Sequence, residues 1–266
     1  MTECPPPQQG TREGPRTASG ALRRATRMAK NGRYDEALSS LDQALVLGAD
    51  PYDCYLRQSL VYQSLGRPRE AISAAEKAVA VKPRMIAARE AVVALLLELR
   101  EFRRAVEASQ ELLRIAPRHM AARDAMGAAF MGMGDVEAAM RVTNEMMRLD
   151  PGEPLHRLKR AMLLEHQGET RMAIADLQRV LDTTDDPTLA QTVRSHLDTL
   201  DLSELQKIVL LATEDPVFRA KLMREPERAI TERGFALTEW GLRRLEEMAT
   251  EELANHPSET SPRMYH

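Results

Sequence analysis

The side chains best suited to catalysis or metal binding are scattered along this sequence rather than grouped. His156 and His166 lie ten residues apart, a spacing that does not put two helical side chains on one face. Glu165 and His166 could form an acid–base pair, but adjacent residues of a helix point away from each other. The sequence has no H-E-x-x-H, C-x-x-C, P-loop or dinucleotide-binding glycine pattern. We therefore expect a protein that is not an enzyme and holds no cofactor or metal.

Methionine is the other side chain with metal chemistry, because soft thioethers bind Cu(I). Nine of the 15 methionines lie between residues 120 and 172. They are Met120, Met126, Met131, Met133, Met140, Met146, Met147, Met162 and Met172. Their spacing follows helical faces, and methionine is a flexible filler of irregular cores and adaptable binding surfaces. Packing and an adaptable surface are the favoured interpretation, and copper binding is the minor alternative.

Composition restricts the partners and the compartment. A net charge of -3 and a pI near 6.1 give no general attraction to nucleic acid, so none is expected as a partner. Cys4 and Cys54 are too few for a disulfide framework, which suits a reducing compartment. The N-terminal residues lack the apolar core of a secretory signal, and the longest apolar run, 91–97, is too short to span a bilayer. We expect a cytoplasmic protein without a membrane partner.

A short segment recurs every 34 residues and organises the sequence. Its first copy is Gly32-Arg33-Tyr34-Asp35-Glu36-Ala37, and its closing alanine returns in every later copy. These alanines are Ala37, Ala71, Ala105, Ala139 and Ala173. Each unit closes at a proline near one phase: Pro51, Pro83, Pro117, Pro151 and Pro187. A fixed period of this length indicates a solenoid of stacked repeats.

Each repeat is expected to fold as two antiparallel helices. In the second repeat the pattern predicts helices over 51–65 and 68–81, joined at Gly66, where a positive φ costs least. The recurring alanine of the second helix faces a small residue of the first, which allows a close approach of the two axes. One such hairpin cannot bury its own apolar faces, so neighbouring hairpins must stack.

These positions resemble the tetratricopeptide repeat, in five tandem copies over residues 18–187. The small–aromatic–Gly–Tyr–Ala–Pro order carries the resemblance, with departures at Val93 and Arg100. The resemblance implies an all-α, right-handed superhelix whose first helices line a groove for a partner's peptide or helix. The groove residues that it implies are Leu56, Arg57, Leu60, Gln63, Glu90, Ala94, Leu97, Asp124, Ala128, Met131, Leu158, Lys159, Met162 and Glu165. The alternative is that several of these side chains only pack between neighbouring repeats.

The chaperone-binding members of that family grip a C-terminal carboxylate with lysines and asparagines. Thr26, Leu60 and Ala94 occupy positions where those asparagines would be sought. The surface is small and apolar with scattered charge, which suits an amphipathic helix. A chaperone adaptor is therefore not expected.

A different module is predicted after the repeats. Residues 188–200 have the periodicity of a capping helix, and Asp201 with Glu204 has the pattern of a new helix start. Further helices are expected at Pro216, at Pro226 and after Thr238. The predicted segments are a disordered tail over 1–17, repeats over 18–187, a cap over 188–200, a helical module over 203–254 and a disordered tail over 255–266.

The module over 203–254 resembles helical leader segments of ribosomally made, modified peptides. The relatives are leaders of the nitrile-hydratase and nitrogen-fixation types, and a small helical dioxygenase subunit is similar. The resemblance implies docking through Phe218, Arg219, Leu222 and Trp240, with a plain cap or dimerisation module as the alternative. The favoured function is a non-catalytic adaptor with a groove and a second docking module. The alternative is an accessory or leader-bearing component that acts with a peptide-modifying enzyme or dioxygenase.

Overall fold

The computed structural model describes residues 17–255, with side chains through Met248, and every regular element in this range is an α-helix. The chain divides into two compact units, one ending at Asp135 and one beginning at Val136. This division falls inside the array predicted over 18–187. The tails predicted over 1–17 and 255–266 lie almost wholly outside the described residues.

The described part of the first unit, residues 17–135, contains seven helices. They are α1 (Ala18–Lys30), α2 (Tyr34–Val46), α3 (Pro51–Ser64), α4 (Pro68–Val81), α5 (Ile86–Glu98), α6 (Phe102–Ile115) and α7 (Met120–Gly132). Odd-numbered helices are the first helices of the repeats and even-numbered helices are the second. The bounds of α3 and α4 agree with the prediction to within one residue.

The recurring alanines of this unit hold the helices together. Ala37, Ala71 and Ala105 have no exposed surface, as expected where two helix axes approach closely. The core between the first two repeats joins Ala25 and Leu41 of one hairpin to Val61 of the next. A hairpin therefore completes its core with its neighbour, as the repeat pattern requires.

The turn between α5 and α6 departs from its neighbours. Gly32, Gly66 and Gly134 turn the chain at a positive φ, whereas Arg100 adopts φ 58° at the corresponding position. A side chain with Cβ is strained in this region, because it crowds the following carbonyl oxygen. The Arg100 guanidinium lies 5.8 Å from the centroid of the Phe102 ring, a contact that accompanies the strained turn.

Seven helices also make up the second unit as far as it is described, from residue 136 to 255. They are α8 (Val136–Leu149), α9 (Pro154–His166), α10 (Thr170–Thr183), α11 (Pro187–Glu214), α12 (Pro216–Arg224), α13 (Pro226–Glu232) and α14 (Glu239–Asn255). Starts predicted at Pro216, at Pro226 and after Thr238 are confirmed. Asp215 caps α12 by accepting hydrogen bonds from the Val217 and Phe218 amides.

The prediction that a new helix starts at Asp201 is wrong, because α11 runs without a break through that residue. Asp201 is fully buried in the middle of α11, and its carboxylate accepts hydrogen bonds from the amide and the hydroxyl of Thr238. The amide bond is 2.8 Å long. Asp201 therefore acts at the start of α14, 37 residues away, instead of capping a helix of its own.

The two halves of α11 face two different cores. Val193, Leu197 and Leu200 close the core of α9 and α10, which is the role predicted for a capping helix. Leu205 and Ile208, further along, form a second core with residues of α12, α13 and α14. The C-terminal module is therefore built on a continuation of the capping helix. Among the described side chains of the module, only Ala236 is buried in the core of α9 and α10.

Candidate partner-binding surface

In the first unit one side of the first helices is open to solvent, and we call it the first-helix face. Its predicted members are Leu56, Arg57, Leu60, Gln63, Glu90, Ala94, Leu97, Asp124, Ala128 and Met131, and each is exposed or half-buried. Leu60 is 54% exposed and Met131 is 38% exposed, both high values for large apolar side chains. The alternative, that these side chains serve only packing between repeats, does not account for this exposure.

Polar side chains join each neighbouring pair of first helices in this unit. Arg57 Nη1 of α3 donates to Thr26 Oγ1 of α1 over 3.1 Å. Gln63 Nε2 of α3 donates to Glu98 Oε2 of α5 over 3.3 Å. His119 at the start of α7, described next, contacts Glu90 of α5. The bridges show that α1, α3, α5 and α7 lie side by side and present one continuous face.

His119 links α5 to α7 through both nitrogens of its ring. Nδ1 accepts a hydrogen bond from the amide of Ala122 over 3.1 Å and so caps α7. Nε2 lies 2.9 Å from Glu90 Oε1. Because Nδ1 accepts, a neutral ring carries its proton on Nε2 and donates it to Glu90. This arrangement fixes Glu90, one of the predicted face residues.

The predicted members in the second unit lie on its first helix, α9. Leu158 and Lys159 are half-buried. Met162 is 54% exposed, and Glu165 is also exposed. Glu165 Oε2 lies 2.8 Å from His196 Nε2 of α11. The unit thus repeats the histidine–glutamate bridge between consecutive first helices. His196 follows Met162 by one repeat length, so it occupies the position that would correspond to Met162 in a sixth repeat.

Sequence reasoning missed these bridging histidines and singled out two others. His156 is buried, and neither of its ring nitrogens has a hydrogen-bond partner among the described residues. His166 is exposed. A usable signal was present, since Glu90 and His119, like Glu165 and His196, are separated by about one repeat. Within the described chain, no three His, Cys, Asp or Glu side chains group as metal ligands would.

A second feature absent from the sequence reasoning lies on the opposite side of the first unit. A cleft of about 460 Å³ opens between α4, α5 and α6, with Val92 and Leu96 among its lining residues. Arg104 at its rim donates hydrogen bonds to Glu101 and Glu76. These bonds raise the pKa of the Arg104 guanidinium, and the bond to Glu101 has the largest effect. The charged rim is thus held by internal ion pairs.

The hairpin of α9 and α10 contains a buried ion pair that sequence reasoning also missed. Arg160 Nε and Nη2 donate to the two carboxylate oxygens of Asp176, each over 2.6 Å. The Asp176 side chain is 8% exposed, and this bidentate bond raises the pKa of Arg160 despite the opposing effect of burial. The pair fixes the two helices of this repeat in register.

The residues proposed for docking in the C-terminal module divide into two groups. Phe218 and Leu222 lie in the core of the module, so a partner could not touch them without opening it. Arg219 is exposed and Trp240 is 42% exposed. Gly241, the residue after Trp240, leaves no open space at this point, because the Asp201 carboxylate packs directly on it.

The fold is that of a helical-hairpin repeat protein with an open first-helix face. The family model for the tetratricopeptide repeat matches residues 52–85, and another model with the same description matches residues 130–198. The chain therefore carries tetratricopeptide repeats within these two ranges. The matched ranges do not include the module over 203–254, whose resemblance to leader segments stays a prediction.

Solved structures share this fold at low sequence identity. MamA from Desulfovibrio magneticus RS-1, residues 41 to the end, is 18% identical with a TM-score of 0.56. The match covers 65% of this chain and 100% of that one. YrrB, described as a TPR protein with an unusual peptide-binding site, is 19% identical with a TM-score of 0.53. That match covers 67% of this chain and 92% of YrrB.

One further comparison and one property of the helices remain to be described. A search of curated proteins finds no significant match to the sequence. Over residues 17–255, none of the helices combines the length and the apolar character that crossing a membrane requires.

Proposed function

We propose that this protein is a non-catalytic interaction scaffold that holds a segment of a partner protein on the first-helix face. The observation that carries the proposal is the exposure of Leu60 and Met131 on a face whose helices are already tied together by side-chain bridges. Exposed apolar side chains on a preformed surface gain free energy when a partner covers them. YrrB shares the fold and has a peptide-binding site, and a protein segment is the ligand proposed here.

The shape of the face supports this choice. Ala94 and Ala128 are exposed, at corresponding positions of α5 and α7, and they leave a shallow floor beside the larger Leu60. A segment that presents apolar side chains at helical spacing can lie in such a depression. His119 and Glu90 stiffen the floor, so little ordering of the scaffold opposes binding.

A pair of matched substitutions tests the proposal. Leu60→Asp places a charge on the first-helix face, and Val46→Asp makes a comparable change at an 88% exposed residue outside it. Both side chains are exposed, so both variants should keep the helical content of the parent protein. The partner recovered with tagged full-length protein should be lost with Leu60→Asp and retained with Val46→Asp. Equal recovery with both variants would exclude the face as the binding site.

We propose further that residues 203–254 form a second docking module. Trp240 and Arg219, together with the 78% exposed Val217, are its accessible candidates. The experiment compares recovery of a second partner by the full-length protein, by Trp240→Ala and by Val217→Ala. If neither substitution reduces recovery, the module is a structural cap, as the alternative interpretation has it.

A further inference from the structure

The charged groups on the first-helix face of the first unit are unevenly distributed. Glu90 and Glu98 lie on α5, and Asp124 lies on α7 at the position corresponding to Glu90. Glu90 and Glu98 are eight residues apart, which places them on one side of the helix and about 12 Å apart along its axis. The two glutamates thus lie on either side of Ala94, which forms the floor together with Ala128.

The cations of these two helices do not share this side. Arg89, the only Lys or Arg of α5, is half-buried, and its Nε donates to the carbonyl of Pro83 over 2.8 Å. Arg123, the only Lys or Arg of α7, is buried. On α3, Arg57 is already engaged by Asp53. Solvent therefore meets mainly negative charge on the α5 part of the face.

The internal partners of the two glutamates leave their charge in place. Glu98 accepts its hydrogen bond from the neutral amide of Gln63. Glu90 faces His119, whose ring must keep Nδ1 free of a proton to cap α7. Neither bond supplies a full positive charge while the cap is intact. A cationic group of a bound partner would supply it.

We infer that the partner segment held on the first-helix face is a cationic amphipathic one, with lysines or arginines that meet Glu90 and Glu98. This inference rests on the proposed function and adds the chemistry of the partner. Apolar side chains of the segment cover Leu60 and Met131, both well exposed. The aliphatic stems of its lysines or arginines lie on the alanine floor, because such side chains pack along apolar surface while their charged ends reach a carboxylate.

The test uses two synthetic peptides of 16 residues with leucines at the same helical positions. One carries lysine at every polar position and the other carries glutamate. Binding of each fluorescein-labelled peptide to the full-length protein is measured by fluorescence anisotropy at two salt concentrations. The lysine peptide should bind at least about tenfold more tightly than the glutamate peptide, with a preference that falls as salt rises.

Two double variants locate the charge effect. Glu90→Gln and Glu98→Gln remove two negative charges from the face, and glutamine can still accept from His119 and Gln63. Glu107→Gln and Glu111→Gln remove two exposed charges from α6, a second helix. An exposed ion pair contributes up to about a factor of five, so the first variant should weaken binding of the lysine peptide by about fivefold. The second should change its binding by less than about twofold.

The outcomes separate this inference from the proposed function. If both peptides bind equally and Leu60→Asp abolishes binding, the face holds a partner segment but the inferred cationic chemistry is wrong. Tighter binding of the glutamate peptide, or equal losses in the two double variants, would also overturn the inference. Failure of both peptides to bind would contradict it as well, whereas recovery of a partner that depends on Leu60 would still support the proposed function.

Discussion

The contact between α11 and α14 makes a prediction whose sign, and not only its size, is decided by the structure. A Cβ added to Gly241 would lie 2.6 Å from Cγ and from Oδ1 of Asp201. Asp201 is fully buried and is held by two hydrogen bonds from Thr238, so its short side chain cannot move aside cheaply. We predict that Gly241→Ala destabilises the C-terminal module.

The magnitude follows from two opposing effects. Overpacking of a filled site costs about 1–3 kcal/mol. Alanine is favoured over glycine in a helix interior by up to about 1 kcal/mol, and somewhat less in the first turn where Gly241 lies. The net loss should be about 1–2 kcal/mol. If Asp201 did not pack on Gly241, the helix effect alone would remain and the variant would be more stable than the parent.

Trp240 supplies a local assay for this change. It is the sole tryptophan of the chain, is 42% exposed, and precedes Gly241 directly. Urea unfolding followed by its fluorescence should shift to lower urea in Gly241→Ala. Gly152→Ala is the control, because its nearest neighbour is 3.9 Å away, and it should change stability little. Asp201→Ala combined with Gly241→Ala should cost less than the sum of the single changes. A Gly241→Ala variant at least as stable as the parent would refute the predicted contact.

Three other perturbations test separate parts of the fold. Ala105→Leu should lower stability by about 1–3 kcal/mol because Ala105 has no exposed surface, and an unchanged thermal midpoint would contradict the assigned helix contact. Arg100→Gly should raise stability by up to about 1 kcal/mol by relieving φ 58°, and a lower thermal midpoint would show that the guanidinium contact with Phe102 matters more. Hydrogen bonds from the Phe218 and Val217 amides, together with Arg233, lower the pKa of Asp215 below 3.8, and the Phe218 amide has the largest effect. Burial raises the pKa, but its effect is smaller than that of the Phe218 hydrogen bond. Its stabilising effect should therefore be complete above pH 3.8 and fall as pH drops through the lower folded pKa. Asp215→Asn should flatten this acid dependence in Trp240 fluorescence, and an unchanged pH profile would contradict that role.

The repeated part of the fold could be read from the sequence because its determinants are local and recur. The alanine at one phase must be buried wherever two helices of a hairpin approach, and Ala37, Ala71 and Ala105 are fully buried. The glycine turns follow from the need for a positive φ. The departure at Arg100 was also visible in the sequence, because an arginine replaces the turn glycine there. The sequence could not show that the turn would keep a positive φ.

The error at Asp201 has a physical origin. An acid followed by a leucine, a serine and a glutamate has the pattern of a helix start, but the same residues are compatible with a helix interior. Contacts with Thr238 and Gly241, which lie 37 and 40 residues further along the chain, determine that Asp201 lies in a helix interior. No local pattern reports such a contact. The buried pair of Arg160 and Asp176 was missed for the same reason.

The candidate face was predicted only in part. Its exposed apolar members follow from the phase of the repeat, whereas the bridges between first helices require knowledge of which polar side chains meet. The separation of Glu90 and His119 by about one repeat was a usable signal, but their contact is established only when α5 and α7 are placed side by side. The sequence therefore indicated which surface is the candidate for partner binding, but not which side chains stiffen that surface.

Site-specific photocrosslinking tests the central claim most directly. A benzoylphenylalanine is placed in turn at Leu60, Ala94 and Ala128 on the first-helix face, and at the exposed Arg103 and Glu107 on α6 as controls. Illumination of cells that produce the full-length variants should yield one crosslinked partner shared by the three face positions and absent from both controls. The same partner crosslinked from Arg103 and Glu107, and not from the face positions, would contradict the account.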